Sequence, residues 1–365
     1  MSRMLDELAA LVAVESPSGS ETATRAAADL LDELLLQHLG TRGTWVDGPA
    51  GTQRGHLLWS GGGPTRVLLL GHVDTVWPFG TTARWPFEVA GGRATGPGAF
   101  DMKAGLVQGL AALEQLDDLT GVALLATTDE EVGSPTSREL IEQTAAGCEA
   151  VLVLEPSAAG ALKTGRKGVG NYELVVQGRA AHAGLEPEKG ANAAVELAHQ
   201  VLALAGVADA GRGTTVTPTV LSAGTTSNTV PAAARVAIDA RALEPDEQER
   251  VDRALRALAP AVPGCRLELL GGINRPPLAP SSSAALFARA RRLAADLGLP
   301  ELTGAHVGGA SDGNFTAGLG IPTLDGLGAV GDGAHAEGEH VLVEAMAPRA
   351  ALVAALVEDL LAVRR

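Results

Sequence analysis

The chain has 365 residues, 46% of them hydrophobic, and a formal net charge of −15. This length allows one large domain or two ordinary ones. The acidic balance, without any basic block in the sequence, argues against nucleic acids and membrane surfaces as partners, although a local Arg or Lys in a cleft can still bind an anionic substrate.

The sequence gives no sign of export or membrane insertion. Its two cysteines, Cys148 and Cys265, suggest no disulfide framework. The first residues have acids within an apolar stretch and lack the basic start of a signal peptide. No run approaches the roughly 18 apolar residues that span a bilayer. We therefore expect a cytoplasmic protein.

The first 160 residues alternate helical patterns with short apolar runs. Helices are predicted at 3–15, 21–38, 103–116 and 136–146, and apolar runs lie at 66–70, 121–127 and 150–154. Runs this short and this apolar are typical of strands buried on both faces of a parallel sheet. The pattern predicts an α/β fold, with a mostly parallel mixed sheet and helices on both faces.

The middle of the chain follows a different plan. Strands are predicted at 171–177, 214–221, 235–241 and 266–270, with helices at 191–205 and 245–258. The order β-α-β-β-α-β is the ferredoxin-like plan. We therefore expect an inserted α+β domain at 167–275, within an α/β domain formed by 1–166 and 276–365. Helices return at 282–297 and 342–363, around a glycine-rich span at 304–338.

Each apolar run of the first domain ends in side chains that can bind a metal. They are His72 and Asp74 after the first run, Asp129, Glu130 and Glu131 after the second, and Glu155 after the third. Ligands of open parallel sheets bind in the crevice beyond the carboxyl ends of the strands. Asp101, in a glycine-rich turn before a helix, and His335, in a late loop, are further candidates for the same crevice.

A single polar residue at a strand end is ordinarily structural, but this group is harder to explain that way. Several carboxylates at one crevice repel one another unless a cation is present. Imidazole with carboxylate suits zinc, with manganese or cobalt as alternatives, whereas calcium would avoid histidine. Two ions about 3.5–4 Å apart are a recurrent hydrolytic arrangement. One carboxylate must then bridge them, and the tight glycine turn favours Asp101.

Five ordered motifs resemble the M20 family of dizinc metallopeptidases, with the glutamate carboxypeptidase branch as the nearest match. The motifs are His72-x-Asp74, Gly98-Ala-Phe-Asp101-Met-Lys, Asp129-Glu130-Glu131, Leu154-Glu155-Pro156 and Ala334-His335-x-Glu337-Gly-Glu. The resemblance covers nearly the whole chain, including the inserted domain. It implies two zinc ions, one held by His72, Asp101 and Glu155 and the other by Asp101, Glu131 and His335.

The resemblance also implies roles for two further acids. Asp74 would support His72, because a carboxylate behind a ligating histidine fixes its tautomer and raises its basicity. Glu130 would be the general acid and base: it would take a proton from a metal-bridging water and return it to the leaving amine. A solvated loop acid is the alternative for Glu130.

In the inserted domain, the resemblance singles out His182, Asn228 and Arg241. In M20 enzymes the matching histidine crosses from a partner subunit and helps to stabilise the tetrahedral oxyanion, while the other two positions bind substrate. An Arg suits a carboxylate because its planar fork donates two parallel hydrogen bonds. The ordinary alternatives are a stray loop histidine for His182 and a salt bridge to Glu244 for Arg241.

The resemblance implies a homodimeric zinc-dependent amidohydrolase that removes a C-terminal amino acid from a small amide or peptide substrate with a free carboxylate. Glutamate as the released residue, from N-acyl or folate-like substrates, depends on the resemblance alone. An N-acyl-amino-acid deacylase or a dipeptidase is the nearest alternative. A non-catalytic metal-binding or ligand-binding protein is an alternative of another class.

Overall fold

The computed structural model of the chain describes residues 2–50, 52 and 54–362. We number its helices and strands in chain order over these residues. The helices are α1 (Ser2–Ala13), α2 (Glu21–Leu39), α3 (Thr81–Arg84), α4 (Ala104–Leu113), α5 (Arg138–Ala145), α6 (Ala193–Leu204), α7 (Pro245–Arg256), α8 (Pro280–Asp296), α9 (Gly313–Gly318) and α10 (Val343–Ala362). The strands are β1 (Thr44–Asp47), β2 (Gly55–Ser60), β3 (Val67–His72), β4 (Glu88–Ala90), β5 (Arg93–Thr95), β6 (Val122–Thr127), β7 (Ala150–Val153), β8 (Leu162–Arg166), β9 (Gly168–Gln177), β10 (Thr215–Ala223), β11 (Ala233–Ala242), β12 (Arg266–Arg275), β13 (Gly304–Val307), β14 (Thr323–Leu324), β15 (Gly331–Asp332) and β16 (His340–Leu342).

The chain divides into two compact units. The first comprises Met1–Arg166, Leu278–Val307 and Ser311–Arg365, and the second comprises Lys167–Pro277 and Gly308–Ala310.

The first unit is built on a six-stranded mixed sheet with the order β1-β2-β6-β3-β7-β14. The strands β6, β3, β7 and β14 run parallel, and β1 and β2 add an antiparallel pair at one edge. The three apolar runs of the sequence form β3, β6 and β7. The predicted α/β class, with a mostly parallel sheet, is confirmed.

The central strands are apolar because helices cover both of their faces. Every residue of β3 and β6 is buried. Successive side chains of a strand point to opposite faces, so Leu69 packs into the cluster that contains Leu110 of α4. Leu68 and Leu70 pack on the other side, in the cluster that contains Phe315 of α9. The ends of these strands are therefore anchored in a packed core.

The second unit has the predicted ferredoxin-like plan. Its elements follow the order β9, α6, β10, β11, α7, β12. The four strands form an antiparallel sheet with the order β10-β11-β9-β12. Apolar residues of both helices, including Leu197 of α6 and Val251 of α7, share one buried cluster with Leu174 and Val236 of the sheet. This cluster gives the unit a hydrophobic core of its own.

A buried carboxylate helps to fix α7 within the second unit. Glu247 is 1% exposed and accepts a hydrogen bond from Thr214 Oγ1 at 2.8 Å. Its oxygens also pair with Arg250 and Arg212, each at 2.5 Å. The hydrogen bond from Arg250, followed by those of its other partners, lowers the pKa of Glu247 to about 2 against the cost of burial.

Among the described residues, every helix is too short or too polar to cross a lipid bilayer.

Candidate metal centre

Three neighbouring parallel strands carry candidate side chains to one edge of the first unit's sheet. β3 lies between β6 and β7. It ends at His72, β6 leads into the turn that contains Glu130 and Glu131, and β7 is followed directly by Leu154 and Glu155. The carboxyl ends of parallel strands share an edge, so the fold brings these side chains together, as expected from the sequence.

The first group of ligand-type atoms surrounds the Nε2 atom of His72. This atom lies 3.4 Å from Asp101 Oδ1 and 3.6 Å from Glu155 Oε1. Asp101 comes from the five-residue turn Ala99–Lys103, which starts after Gly98 at a φ of 74°. A Cβ atom at Gly98 would lie 2.5 Å from Thr75 Cγ2. Glycine therefore allows the sharp turn that points Asp101 at His72.

The second group shares the Asp101 carboxylate with the first. His335 Nε2 lies 3.4 Å from Asp101 Oδ2 and 3.1 Å from Glu131 Oε2. Thus one oxygen of Asp101 faces each imidazole. The structure brings together all five residues that the sequence analysis nominated as metal ligands.

The types of these atoms, and the lack of hydrogen-bond partners for some of them, fit a bound cation. Three of the buried atoms, His72 Nε2, Asp101 Oδ1 and Glu131 Oε1, have no hydrogen-bond partner among the described residues. Atoms of His72, Asp101 and Glu131 lie within 4.8 Å of one another, as do atoms of His72, Glu130 and Glu155. Buried polar atoms are ordinarily satisfied, and imidazole with carboxylate is a donor set for transition metals.

The ionisation of the two histidines follows from the surrounding carboxylates. The hydrogen bonds to Asp101 and Glu131 raise the pKa of His335 to about 10. The pKa of His72 is also raised well above its usual value, because Asp101, Asp74 and Glu155 outweigh the opposing effect of burial. Carboxylates that draw protons onto imidazoles would also attract a metal cation in their place.

Glu155 is held by cations on the side away from His72. Its Oε2 atom accepts a hydrogen bond from Arg166 Nη2 at 3.0 Å and lies 3.6 Å from Lys163 Nζ. Burial and the Asp101 carboxylate raise its pKa, but Arg166, His72 and Lys163 prevail and lower it to about 2. Glu155 is therefore ionised, with Oε1 left to face His72.

Asp74 is fully buried and has more partners than its expected role behind His72 requires. The ring atom His72 Nδ1 lies 2.9 Å from the carbonyl oxygen of Asp74 and 3.5 Å from its carboxylate. Because a carbonyl can only accept, Nδ1 carries the proton and Nε2 faces the first group. The nearest acceptor is thus the backbone carbonyl of Asp74, and the carboxylate lies slightly farther from the ring.

The Asp74 carboxylate instead fixes the neighbouring turn. Its two oxygens accept the backbone N–H groups of Glu130 and Glu131, each at 3.2 Å, and one also accepts Ser18 Oγ at 2.7 Å. These two glutamates open a short 3₁₀ turn, Glu130–Val132. Asp74 therefore sets the backbone from which both glutamate side chains extend.

Two carboxylate partners of this region were not singled out as site residues from the sequence, although one of them, Glu339, is the last residue of the fifth motif. Asp325 is fully buried and pairs with Arg166 through Nε at 2.7 Å and Nη2 at 3.0 Å. Glu339 is also fully buried and accepts the Phe100 N–H at 3.1 Å and Trp77 Nε1 at 3.0 Å. Arg166 is itself buried and so pairs with two carboxylates, Asp325 and Glu155.

Helix α4 packs directly against the segment that carries Glu155. A Cβ atom at Gly105 would lie 2.0 Å from the carbonyl oxygen of Leu154, and one at Gly109 would lie 2.7 Å from Leu154 Cδ1. Glycine at these helix positions permits the close approach. The position of Glu155 therefore depends on the packing of α4 as well as on β7.

The candidate substrate residues lie in the second unit. His182 and Asn228 are exposed and lie on two paired loops, because His182 forms a β-bridge with Thr229 and the Asn228 carbonyl accepts the Ala183 N–H at 2.9 Å. Arg241, at the end of β11, pairs with Asp239, with Nη2–Oδ2 at 2.8 Å. The alternative expected for Arg241 was a salt bridge to Glu244, but the partner is Asp239. Side chains two residues apart lie on the same face of a strand, which brings Asp239 and Arg241 together.

Comparisons with known proteins agree with this geometry. A model described as peptidase family M20/M25/M40 matches residues 68–359. The chain is 31% identical to carboxypeptidase G2 of Pseudomonas sp. (strain RS-16) over 374 residues, which cover 98% of this chain and 89% of that protein. It is 32% identical to acetylornithine deacetylase of Proteus mirabilis over 202 residues, covering 52% and 51% of the two chains.

The fold is similar to that of a solved structure with little sequence identity. The crystal structure of an M20 family metallo-carboxypeptidase, Sso-CP2 from Sulfolobus solfataricus, superposes with a TM-score of 0.78. The sequence identity is 18%, and the match covers 98% of this chain and 99% of that one.

Proposed function

As a member of peptidase family M20/M25/M40, the chain is a metallopeptidase or amidohydrolase, and we propose that it releases a C-terminal amino acid, preferably glutamate, from N-acyl, folate-like or short peptidyl substrates. The observation that carries this proposal is the pair of His–carboxylate groups that share Asp101. The similarity to carboxypeptidase G2 over 98% of the chain supports the carboxypeptidase reaction.

In this proposal the two groups hold two metal ions. His72, Asp101 and Glu155 would hold one ion, and Asp101, Glu131 and His335 the other, with zinc favoured and manganese or cobalt as alternatives. Such ions, when bound, polarise a carbonyl and lower the pKa of a water molecule toward neutrality. The distances of 3.1–3.6 Å from the histidine Nε2 atoms to the carboxylates support this assignment.

The protein would supply the proton transfers. Glu130 would accept a proton from the attacking water and give it to the nitrogen of the leaving amine, as a general base and then a general acid. Asp74 would act through its hydrogen bonds to the Glu130 and Glu131 backbone and as a support for His72. Its carboxylate is buried, and both of its oxygens already accept hydrogen bonds, which suits a positioning role.

The second unit would bind substrate and serve as a lid and dimerisation domain. Arg241 would pair with the free carboxylate of the substrate through its planar fork, and Asn228 would donate a hydrogen bond nearby. His182 would stabilise the oxyanion from across the interface of a homodimer. The pairing of the His182 and Asn228 loops within this unit supports a joint role.

Glutamate preference is the finer part of the proposal, and acyl-amino-acid deacylation is its competitor. The deacylase alternative is supported by 32% identity to acetylornithine deacetylase over half the chain. A substrate panel of N-acyl-glutamates, N-acetyl-ornithine and neutral dipeptides separates the two. We expect the highest kcat/KM for C-terminal glutamates, and equal cleavage of the neutral dipeptides would refute the glutamate assignment.

The role of Glu130 is tested by Glu130→Gln in the metal-loaded protein. Glutamine has nearly the same shape but cannot carry the proton, so we expect kcat to fall by about 10²–10⁴-fold with an unchanged metal content. Glu139→Gln, an exposed change on α5, is the matched control. If Glu130→Gln left hydrolysis unchanged, the general acid and base would have to be another group. If the metal-loaded wild-type protein hydrolysed no member of the panel, a binding protein would be the better description.

We also propose that the protein acts in the cytoplasm. Its two cysteines, Cys148 and Cys265, are buried and unpaired, which suits a reducing compartment.

A further inference from the structure

The turn that carries Glu130 and Glu131 is tied down at both ends by one side chain. Asp312, which is 3% exposed, accepts a hydrogen bond from Thr127 Oγ1 at 2.9 Å. Its other oxygen accepts one from Ser134 Oγ. Thr127 is the last residue of β6, and Ser134 comes two residues after the end of the 3₁₀ turn. A single carboxylate from a distant part of the sequence therefore bridges the two ends of residues 128–133.

This turn has little regular structure, so contacts from side chains help to hold it. It contains one short 3₁₀ segment, and Ser134 has a left-handed φ of 58°. Non-glycine residues adopt that conformation only where surrounding contacts hold them. A hydrogen bond from a hydroxyl to an ionised carboxylate is stronger than a neutral one. The Asp312 contact with Ser134 therefore opposes relaxation of the strained end of the turn.

Ser311, the residue before Asp312, connects to Glu155 through two other buried side chains. Ser311 Oγ donates to Asp325 Oδ2 at 2.6 Å. Asp325 pairs with Arg166, which in turn donates to Glu155 at 3.0 Å. Adjacent side chains thus connect to Glu131 through the turn and to Glu155 through a chain of buried ion pairs. The dipeptide Ser311–Asp312 therefore lies next to two sets of supporting contacts, one at the turn and one at Asp325.

We propose that Asp312 is a positioning residue: by bridging Thr127 and Ser134, it fixes the turn so that Glu130 and Glu131 face the metal centre. The inference rests on the proposed function for its chemical consequence, although the bridging itself does not. Residues that orient metal ligands typically contribute about 10–100-fold to metal affinity or activity. Asp312 does not touch the reacting atoms and acts only through the turn.

The test compares Asp312→Ala and Asp312→Asn with the full-length wild-type protein. Alanine removes both hydrogen bonds. Asparagine can accept from one hydroxyl and donate to the other, because Thr127 Oγ1 has the Gly71 carbonyl oxygen at 3.5 Å as a second acceptor. We expect Asp312→Ala to lose protection from hydrogen exchange at the Glu130 and Glu131 amides, and Asp312→Asn to retain more of it.

Two further readouts connect the turn to the metal centre. Equilibrium dialysis against Zn²⁺ or Mn²⁺ alone should show that Asp312→Ala binds one of two equivalents about 10–100-fold more weakly. With the loaded protein, kcat should fall by a similar factor while KM changes little. Glu196→Ala is the control, because Glu196 is a fully buried carboxylate that accepts the Ala261 and Val262 N–H groups of the second unit. It should lower stability without affecting metal binding or exchange in the turn.

Three results have distinct meanings. If Asp312→Ala kept both metal equivalents at wild-type affinity and wild-type exchange in the turn, the positioning role would be refuted. Faster exchange throughout the first unit would also refute it, since Asp312 would then be a general core residue. If the turn lost protection but the wild-type protein bound no metal, the proposed function would fail while the bridging by Asp312 would stand.

Discussion

The buried arginine beside the metal centre gives a prediction whose size follows from its contacts. Arg166 is 4% exposed and pairs with Asp325, which is fully buried, and with Glu155. Arg166→Met removes the cation but retains much of the side-chain volume. The remaining partners then include the Ser311 hydroxyl at Asp325 and, each 3.6 Å from Glu155, the Lys163 ammonium and the His72 ring.

Loss of one member of a buried ion pair typically costs about 3–5 kcal/mol, because the remaining charge is desolvated without compensation. For a unit of this size, each kcal/mol shifts the melting temperature by about 2–4 °C. We therefore expect the metal-free Arg166→Met protein to melt about 6–20 °C below wild type. Zn²⁺ should recover part of this loss, since an ion at the centre would neutralise Glu155.

The measurement is thermal and urea-induced unfolding of both proteins in the presence of chelator. Arg253→Met is the control, because Arg253 forms an exposed pair on α7 and should change stability by less than about 0.5 kcal/mol. In the double variant Arg166→Met/Asp325→Leu part of the stability should return, because both members of the Arg166–Asp325 pair are replaced, while Glu155 still lacks its arginine. A loss below about 1 kcal/mol in Arg166→Met would refute the argument that the arginine compensates two buried charges.

Two further predictions concern stability. The arginine neighbours of Glu247 lower its pKa, so its ionised form stabilises the folded protein above about pH 4.5, and this stability is lost as the pH falls toward 2. The free energy of unfolding of Glu247→Gln should thus be about 1–2 kcal/mol lower at neutral pH, and it should depend less on pH in the acid range. The exposed Glu249→Gln variant should match wild type. Parallel curves of stability against pH for all three proteins would disprove the assignment. Gly105→Ala should destabilise the protein by about 3 kcal/mol or more, since its Cβ would lie 2.0 Å from the Leu154 carbonyl oxygen. Gly109→Ala should cost less, because its Cβ would meet only the end of the Leu154 side chain. Equal urea midpoints for the two alanine variants would contradict this packing.

The sequence was most informative where apolar strands end in ligand-type residues. The runs that became β3, β6 and β7 are apolar because the sheet is covered on both faces, and this made their polar ends conspicuous. Topology then implied that His72 and Glu155 would meet. Asp101 was less obvious from pattern alone, but its glycine-rich turn indicated a sharply directed side chain.

The supporting contacts could not be read from the sequence, because their partners are distant and their local patterns are polar. β8, with the sequence LKTGR, lacks the continuous apolar pattern of the central strands, yet it is a largely buried strand paired with β13. Its Arg166 tolerates burial because Glu155 and Asp325, the latter far along the chain, compensate the charge. The bridging of Thr127 and Ser134 by Asp312 joins positions that lie 178–185 residues apart in the sequence.

The central claim is that five side chains hold two metal ions around a shared Asp101. Anomalous diffraction from crystals grown with Zn²⁺, recorded on both sides of the zinc absorption edge, tests this most directly. We predict two peaks, one beside His72 and Glu155 and one beside His335 and Glu131, with Asp101 between them. A map without a peak at these residues, or with a single peak that does not contact Asp101, would contradict the account.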